Sequence, residues 1–486
     1  MTNYQHIFFV STSQYNTVIF SGIIGAMDVF SKRYNNLNDE QKTAVDTIDG
    51  PLIVVAGPGT GKTELLSMRT ANILRKTDTL PENILCLTFT DSGAVAMRSR
   101  LSEIIGPDAY RVAIQTFHSF GTEITSQHNS YFFRGAQFRP ADELSSYEIL
   151  KSIFDELDHA NPLASKMADE YTYLRDAMTA ISELKQAGLS SEELRTVVTA
   201  NETALDSIEP ELQAIFSQKI NINMLKALSP IAEKIATFSP QTLPPAILPL
   251  NNNLSLSLAH ALSEAIETGK TTPITAWRNR WMEKNIQGDF IFKDRKRHAK
   301  LLSLAHVYDC YVAKMEQAKL YDYDDMILNA IQAMETYPDL RFNLQEKYQY
   351  IMVDEFQDTN LAQMRILFNL TDTTLGDAPN IMVVGDDDQA IYSFQGADVG
   401  NIHRFRQEYP TYKTVSLIHN YRSCQAILDH AREVIIQADG RLENSMEISK
   451  KLIAHATAAP TVNINHLETH SDEYAWVADA IARDIA

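Results

Sequence analysis

The sequence predicts an α/β fold: a parallel sheet that is interrupted by a long helical insertion and then resumed. Three observations predict it. Short apolar runs of buried-strand type alternate with amphipathic helical patterns up to about residue 122, as strands joined by crossover helices do. The stretch from 123 to 290 is charged, helical in period and free of buried-strand runs. The strand pattern then returns at Tyr350-Ile351-Met352-Val353 and again at Ile381-Met382-Val383-Val384.

Residues 37–48, LNDEQKTAVDTI, predict a short helix with Asn38 or Asp39 as N-cap. Leu52-Ile53-Val54-Val55 predicts a buried strand feeding directly into AGPGTGKT, residues 56–63. A helical pattern follows at Leu65, Leu66, Met68, Ala71, Ile73 and Leu74. Ile84 to Phe89 predicts a second strand, 92–105 a helix, and Val112 to Gln115 a third strand. Inside the insertion, Pro240, Pro244, Pro245, Pro249 and Asn251 to Asn253 predict a loop near 238–256. Long helices are expected at 295–319 and 324–336, and a further α/β segment from 397 to 486.

Composition bounds the class. The 486 residues include 43 basic and 62 acidic ones, a net charge of −19. That length allows about three domains. The 44% hydrophobic share excludes a mostly disordered chain. The acidic balance excludes a histone-like coat of bulk positive charge but permits a local basic track. Cys86, Cys310 and Cys424 are far apart, which argues against a disulfide framework or a zinc site and fits a reducing cytoplasm. Residues 1–26 carry no Lys, Arg, Asp or Glu. They have neither the basic start of a signal peptide nor an unbroken apolar core for a membrane span. We expect a non-native or disordered extension, with Met27 opening the functional protein; a tail packed as an extra strand is the alternative.

The strand–AGPGTGKT–helix arrangement is a phosphate-binding loop. Backbone N–H groups along Ala56, Gly57, Pro58, Gly59, Thr60 and Gly61 would wrap phosphates at a helix N-terminus, with proline contributing none. Lys62 supplies charge for the β- and γ-phosphates, and Thr63 offers a hydroxyl to Mg²⁺. The run Val353-Asp354-Glu355-Phe356-Gln357-Asp358 ends an apolar strand on carboxylates. Asp354 fits as the Mg²⁺ ligand and Glu355 as the base or positioner for water. ATP and Mg²⁺ are the implied cofactors.

Eight motifs stand in a fixed order: LNDEQ (37–41), AGPGTGKT (56–63), LTFTDSGAVAMRSRL (87–101), TFHSF (116–120), DYDDM (322–326), VDEFQDT (353–359), VVGDDDQAIYSFQGA (383–397) and NYRS (420–423). In these the chain resembles superfamily 1A DNA helicases of the UvrD/PcrA/Rep type. The resemblance implies a RecA-like P-loop NTPase sheet at 27–122 and 291–396, an inserted helical domain at 123–290, and a partial second RecA-like domain at 397–486. It implies that Gln41 reads the adenine edge and that Tyr421 stacks on adenine, a core tyrosine being the alternative. Gln389 resembles the γ-phosphate sensor and Arg422 an arginine finger. Phe89, Thr90, His118, Tyr392 and Phe394 resemble residues along the path of single-stranded DNA, where base stacking is worth about 1–3 kcal/mol per base. Core packing is the competing reading of the aromatics, and a structural histidine that of His118. The basic–aromatic segment 277–300 is a further candidate for phosphate contact, or a solvated helical face.

Three positions depart from the pattern. Glu64 stands where relatives often carry an Arg packed on adenine, Ser92 where many have Lys, and Gln395 where Arg often follows an aromatic. The later motifs expected after NYRS, including one with a second arginine finger, are not found, so a truncated second domain is expected. The resemblance implies an ATP-dependent 3′-to-5′ helicase of repair or recombination, acting on single strands and single/double-strand junctions in the cytoplasm. An ATP- and DNA-binding fragment without helicase activity is the alternative, as is the motor part of a RecB/AddA-like helicase–nuclease. No membrane association is expected.

Overall fold

The computed structural model describes residues 29–132, 138–218, 220–221, 224–238, 243, 247, 250–372, 378–391, 400–438, 441–446, 448–457 and 465–485. The expected extension at 1–26 therefore lies outside the described residues, as do Pro240, Pro244, Pro245 and Pro249.

Six strands form the central sheet: β1 (Leu52–Ala56), β2 (Ile84–Thr88), β3 (Ala113–Thr116), β4 (Tyr350–Val353), β5 (Asn380–Gly385) and β6 (Lys413–Leu417). Their order is β6-β1-β5-β4-β2-β3, and every pairing is parallel. Val54 lies opposite Val384 on one side and Val415 on the other. β1, β2 and β4 are buried along their whole length. That is why they read as unbroken apolar runs rather than alternating ones: helices cover both faces of a parallel sheet.

Strand periodicity divides the core in two. Ile53, Val55, Leu87 and Val353 face one layer, while Leu52, Val54, Cys86 and Met352 face the other. The first layer is closed by α4 (Phe117–Gln127), α12 (Asp325–Thr336), α13 (Pro338–Lys347) and α14 (Leu361–Thr371), and the second by α2 (Lys62–Lys76) and α3 (Asp91–Ile105). Each such Val, Leu or Ile contributes about 1.5–3 kcal/mol by leaving water. The first helix, α1 (Asp39–Asp46), starts on Asn38 with a full capping box to Gln41, where the sequence offered Asn38 or Asp39.

The inserted stretch holds α5 (Glu143–Asp155), α6 (Leu174–Gln186), α7 (Ser191–Phe216), α8 (Leu225–Thr237), α9 (Leu250–Thr268) and α10 (Thr272–Trp281), and α11 (Asp294–Gln317) follows it. Leu205, Leu228, Leu254, Trp277 and Phe292 share its largest core. The loop expected at 238–256 ends sooner, because α9 begins at Leu250. Asn251 is buried, and its amide donates to the carbonyls of Ile235 (3.1 Å) and Phe238 (2.9 Å). An asparagine that reads as a loop former thus satisfies the carbonyls that end α8.

Three expected boundaries shift. The division at 122/123 falls inside α4, and that at 290/291 falls inside the short strand Phe290–Phe292. The division at 396/397 is overtaken by α15 (Gly400–Glu408) and β6. Phe405 packs against Phe356 at 5.9 Å between ring centroids, and β6 pairs with β1. Without β6, the wholly apolar β1 would be an open edge. After β6, His419–Asn420 pairs in parallel with Ile453–Ala454, flanking α16 (Gln425–Ile435). No described helix is long and apolar enough to cross a membrane.

Candidate functional site

The candidate residues gather at the carboxyl ends of the strands, where parallel α/β sheets bind ligands. β1 ends at Ala56, and α2 begins at Lys62. The loop between them turns through Gly59 (φ +70°) and Gly61 (φ +87°), a left-handed backbone that favours glycine. A Cβ at Gly59 would stand 2.7 Å from Arg422 Cβ and 2.8 Å from Asn420 Nδ2. The loop is held from three sides. Thr60 Oγ1 donates to the Gly57 carbonyl at 2.8 Å. Gln41 Nε2 donates to the Thr60 carbonyl at 2.9 Å. Asn420 Nδ2 donates to the Pro58 carbonyl at 2.5 Å.

Lys62 Nζ meets Glu355 Oε2 at 2.5 Å. Glu355 sits at φ +48°, a strained conformation for a non-glycine residue that costs on the order of 1 kcal/mol or more. Its carboxylate also accepts from Gln357 Nε2 at 3.0 Å. Asp354 Oδ1 accepts the Glu355 N–H at 3.0 Å. Burial, and then the Glu355 charge, push the Asp354 carboxyl up to about 6, against the pull of Lys62. Asp358 is pushed up to about 6 by the same two causes in the same order. Its Oδ1 is buried with no hydrogen-bond partner among the described residues, while Oδ2 accepts from Gln357 at 3.1 Å.

Gln389 follows β5 and donates to Asp386 Oδ2 at 2.7 Å. Asp386, Asp387 and Asp388 could together embrace a cation, but that place is taken. Lys450 Nζ, nearly buried, meets all three at 2.6, 2.6 and 2.8 Å. Arg441 grips Asp388 with two bonds, at 2.8 and 2.7 Å. Gln357 joins this loop to the first carboxylate pair, accepting the Asp386 N–H at 3.0 Å.

Tyr421 stands above the glycine loop, its N–H donating to the Gly59 carbonyl at 2.9 Å. Its hydroxyl accepts from Asn38 Nδ2 at 3.1 Å. Arg422 is exposed, and its guanidinium has no ion-pair partner among the described residues. Both ends of the Gln41 amide are engaged, Oε1 with the Asn38 N–H at 3.1 Å. Glu64 turns to Arg33, at 3.1 Å. Thr63 lies in the first turn of α2.

The residues expected along DNA are more scattered. Phe89 and Thr90 follow β2, and Thr90 caps α3 by accepting the Gly93 N–H at 3.1 Å. His118 lies in the first turn of α4 and stacks on Tyr323 at 4.0 Å. Burial pushes its pKa down to about 4, so it is neutral at pH 7 and brings no charge to a phosphate. Tyr392, Phe394 and Gln395 lie outside the described residues. The DYDDM segment locks the insertion to the sheet: Lys185 of α6 is buried on Asp322 and Asp325. Sequence reasoning missed Asn420, Gln357, Arg441 and Lys450. NYRS and DEFQDT contain the first two, but nothing in the spacing announces a lysine 63 residues beyond Asp387.

A six-stranded parallel sheet, a glycine loop leading into α2 and carboxylates on the adjoining strand ends define the class as a RecA-like α/β fold. The chain belongs to the UvrD/REP helicase family: the model of that family's N-terminal domain matches residues 37–410. It is similar to the ATP-dependent DNA helicase PcrA of Staphylococcus epidermidis, 29% identical over 448 residues, which are 92% of this chain and 46% of that protein. PcrA of Staphylococcus aureus is 28% identical over 449 residues, again 92% of this chain and 46% of the relative. The chain thus spans about half the length of the curated relatives it matches.

Proposed function

We propose that this chain is the ATP-binding part of a DNA helicase that couples ATP hydrolysis to 3′-to-5′ movement on single-stranded DNA, in repair or recombination in the cytoplasm. The observation that carries the reading is the meeting of Lys62, Asp354 and Glu355 beneath a glycine loop that Asn420 ties to Tyr421 and Arg422. Thr63 and Asp354 offer the hard oxygen donors that suit Mg²⁺. A bound cation there would neutralise phosphate charge and favour the ionised form of Asp354. Lys62 would leave Glu355 for the phosphates. Glu355 would then be free to orient water, with Gln389 and Arg422 on the γ-phosphate. The sheet and its covering helices serve as the first motor domain, and the residues after β6 begin the second.

DNA contact is supported by the insertion. Residues 270–300 hold nine basic and three acidic residues in a chain of net charge −19. Arg278 and Lys284 lie 4.6 and 5.3 Å from the centre of the Phe290 ring. Arg278 Nη2 and Lys293 Nζ both bond Asn279, at 2.9 and 2.5 Å. None of the three cations has a carboxylate partner among the described residues. Adjacent like charges repel, and a phosphodiester backbone would relieve them.

The test is ATP hydrolysis with and without single-stranded DNA, for this chain and for Lys62→Ala. Stimulation that the variant lacks is expected. Its absence in the unaltered chain would favour an ATP- and DNA-binding part that has no motor activity of its own. Comparing 3′-tailed with 5′-tailed duplexes tests the direction.

A further inference from the structure

Tyr421 is 48% exposed, and among the described residues one face of its ring is left to solvent. His455 covers the other: the two rings stack at 4.7 Å between centroids and 22° between planes. The arrangement is built. The His455 N–H donates to the Asn420 carbonyl at 2.8 Å, which extends the short parallel pair of His419–Asn420 with Ile453–Ala454. The imidazole of His455 is fixed in turn, its Nε2 lying 2.9 Å from Nδ1 of His419. A hydrogen bond between two imidazoles requires one nitrogen to donate and the other to accept, which limits the rotation of both rings. With its hydroxyl held by Asn38, Tyr421 is constrained at its tip, at its backbone and on one face.

We propose that His455 is the positioning residue of the nucleotide-base platform: it backs the Tyr421 ring so that the opposite face is presented, already ordered, to the adenine of ATP. The inference rests on the reading of Tyr421 as the base-stacking aromatic. It adds a residue 34 positions further on, which touches the tyrosine and not the nucleotide. An aromatic ring ordered in advance loses less freedom when the base stacks on it, and offset stacked pairs favour such order. The contribution concerns the base alone. The triphosphate would be held by the glycine loop and Lys62, whereas the hydrogen-bond partners of His455 among the described residues are Asn420 and His419.

The experiment measures equilibrium binding of a fluorescent ATP analogue to the full chain, and its displacement by unlabelled ATP or by inorganic tripolyphosphate, which has no base. The variants are Tyr421→Ala, His455→Ala and His455→Phe. We expect His455→Ala to weaken ATP about three- to tenfold and to leave tripolyphosphate unchanged. His455→Phe, which keeps a flat ring, should restore most of the affinity for ATP. If Tyr421→Ala weakens ATP while His455→Ala matches the unaltered chain, the platform stands and the role of His455 is refuted. Equal weakening of ATP and tripolyphosphate by His455→Ala would also overturn it, because the loss would then be general damage to the site. Should Tyr421→Ala bind ATP normally, the platform reading fails and the proposal with it.

Discussion

Lys62 Nζ and Glu355 Oε2 stand 2.5 Å apart, so each of these two groups holds the other. On the proposed reading of Lys62 as a phosphate ligand, a nucleotide would have to break this pair. Glu355→Gln removes the competing charge but keeps the shape. We expect it to bind ATP two- to tenfold more tightly, and to hydrolyse it about 10²-fold or more slowly if Glu355 is the base. Titration with a slowly hydrolysed ATP analogue, together with steady-state turnover, separates the two effects. Weaker binding by the variant would count against the competition.

Asp358 gives a pH prediction. Its carboxyl is pushed from 3.8 to about 6, by burial first and by Glu355 second. The folded form therefore holds its proton more tightly than the unfolded chain does. Stability from this group is full below about pH 4 and falls as the pH rises towards 6. Asp358→Asn avoids that loss. The whole shift corresponds to about 3 kcal/mol at about 1.4 kcal/mol per pKa unit; screening by nearby solvent reduces the expected gain to about 1–2 kcal/mol at pH 8, and the advantage should vanish at pH 4. Urea melts at both values check this; an equal gain at both would refute the charge explanation.

Lys450→Met removes the one ammonium that three aspartates share. Stranding buried charges costs about 3–5 kcal/mol. Adding Asp387→Asn should recover part of the loss, because less negative charge is then left unpaired. An unfolding free energy within about 1 kcal/mol of that of the unaltered chain would mean that Lys450 is not holding the loop.

The cations around Phe290 predict a salt effect. Replacing Arg278, Lys284 and Lys293 by Ala should weaken DNA binding and flatten its salt dependence. The slope of log K against log salt should fall by about 2, at about 0.7 per phosphate contact for single strands. Fluorescence anisotropy across a salt series measures it. An unchanged slope would exclude these residues from the interface.

The parts that were legible in the sequence share a physical reason: local order fixes them. β1, β2 and β4 read as strands because both of their faces are buried, and the loop at 56–63 because strand, glycines and helix succeed one another along the chain. Asn251 misled because a cap for α8 and a loop former use the same side chain. The break at 397 misled because it marks the end of a motif and not the end of a sheet; β6 is recruited by β1, from which it is remote in sequence. Lys450, Arg441 and His455 were illegible because each acts through a partner tens of residues away. No local pattern encodes such a meeting.

The placement of β6 beside β1 has a mechanical consequence. Only three residues separate the end of β6 from Tyr421, and one of them, Asn420, is pinned to the Pro58 carbonyl. Asn420 is thus a fulcrum set at the lip of the glycine loop. A swing of α16 about that point would pull on the backbone that would wrap a phosphate.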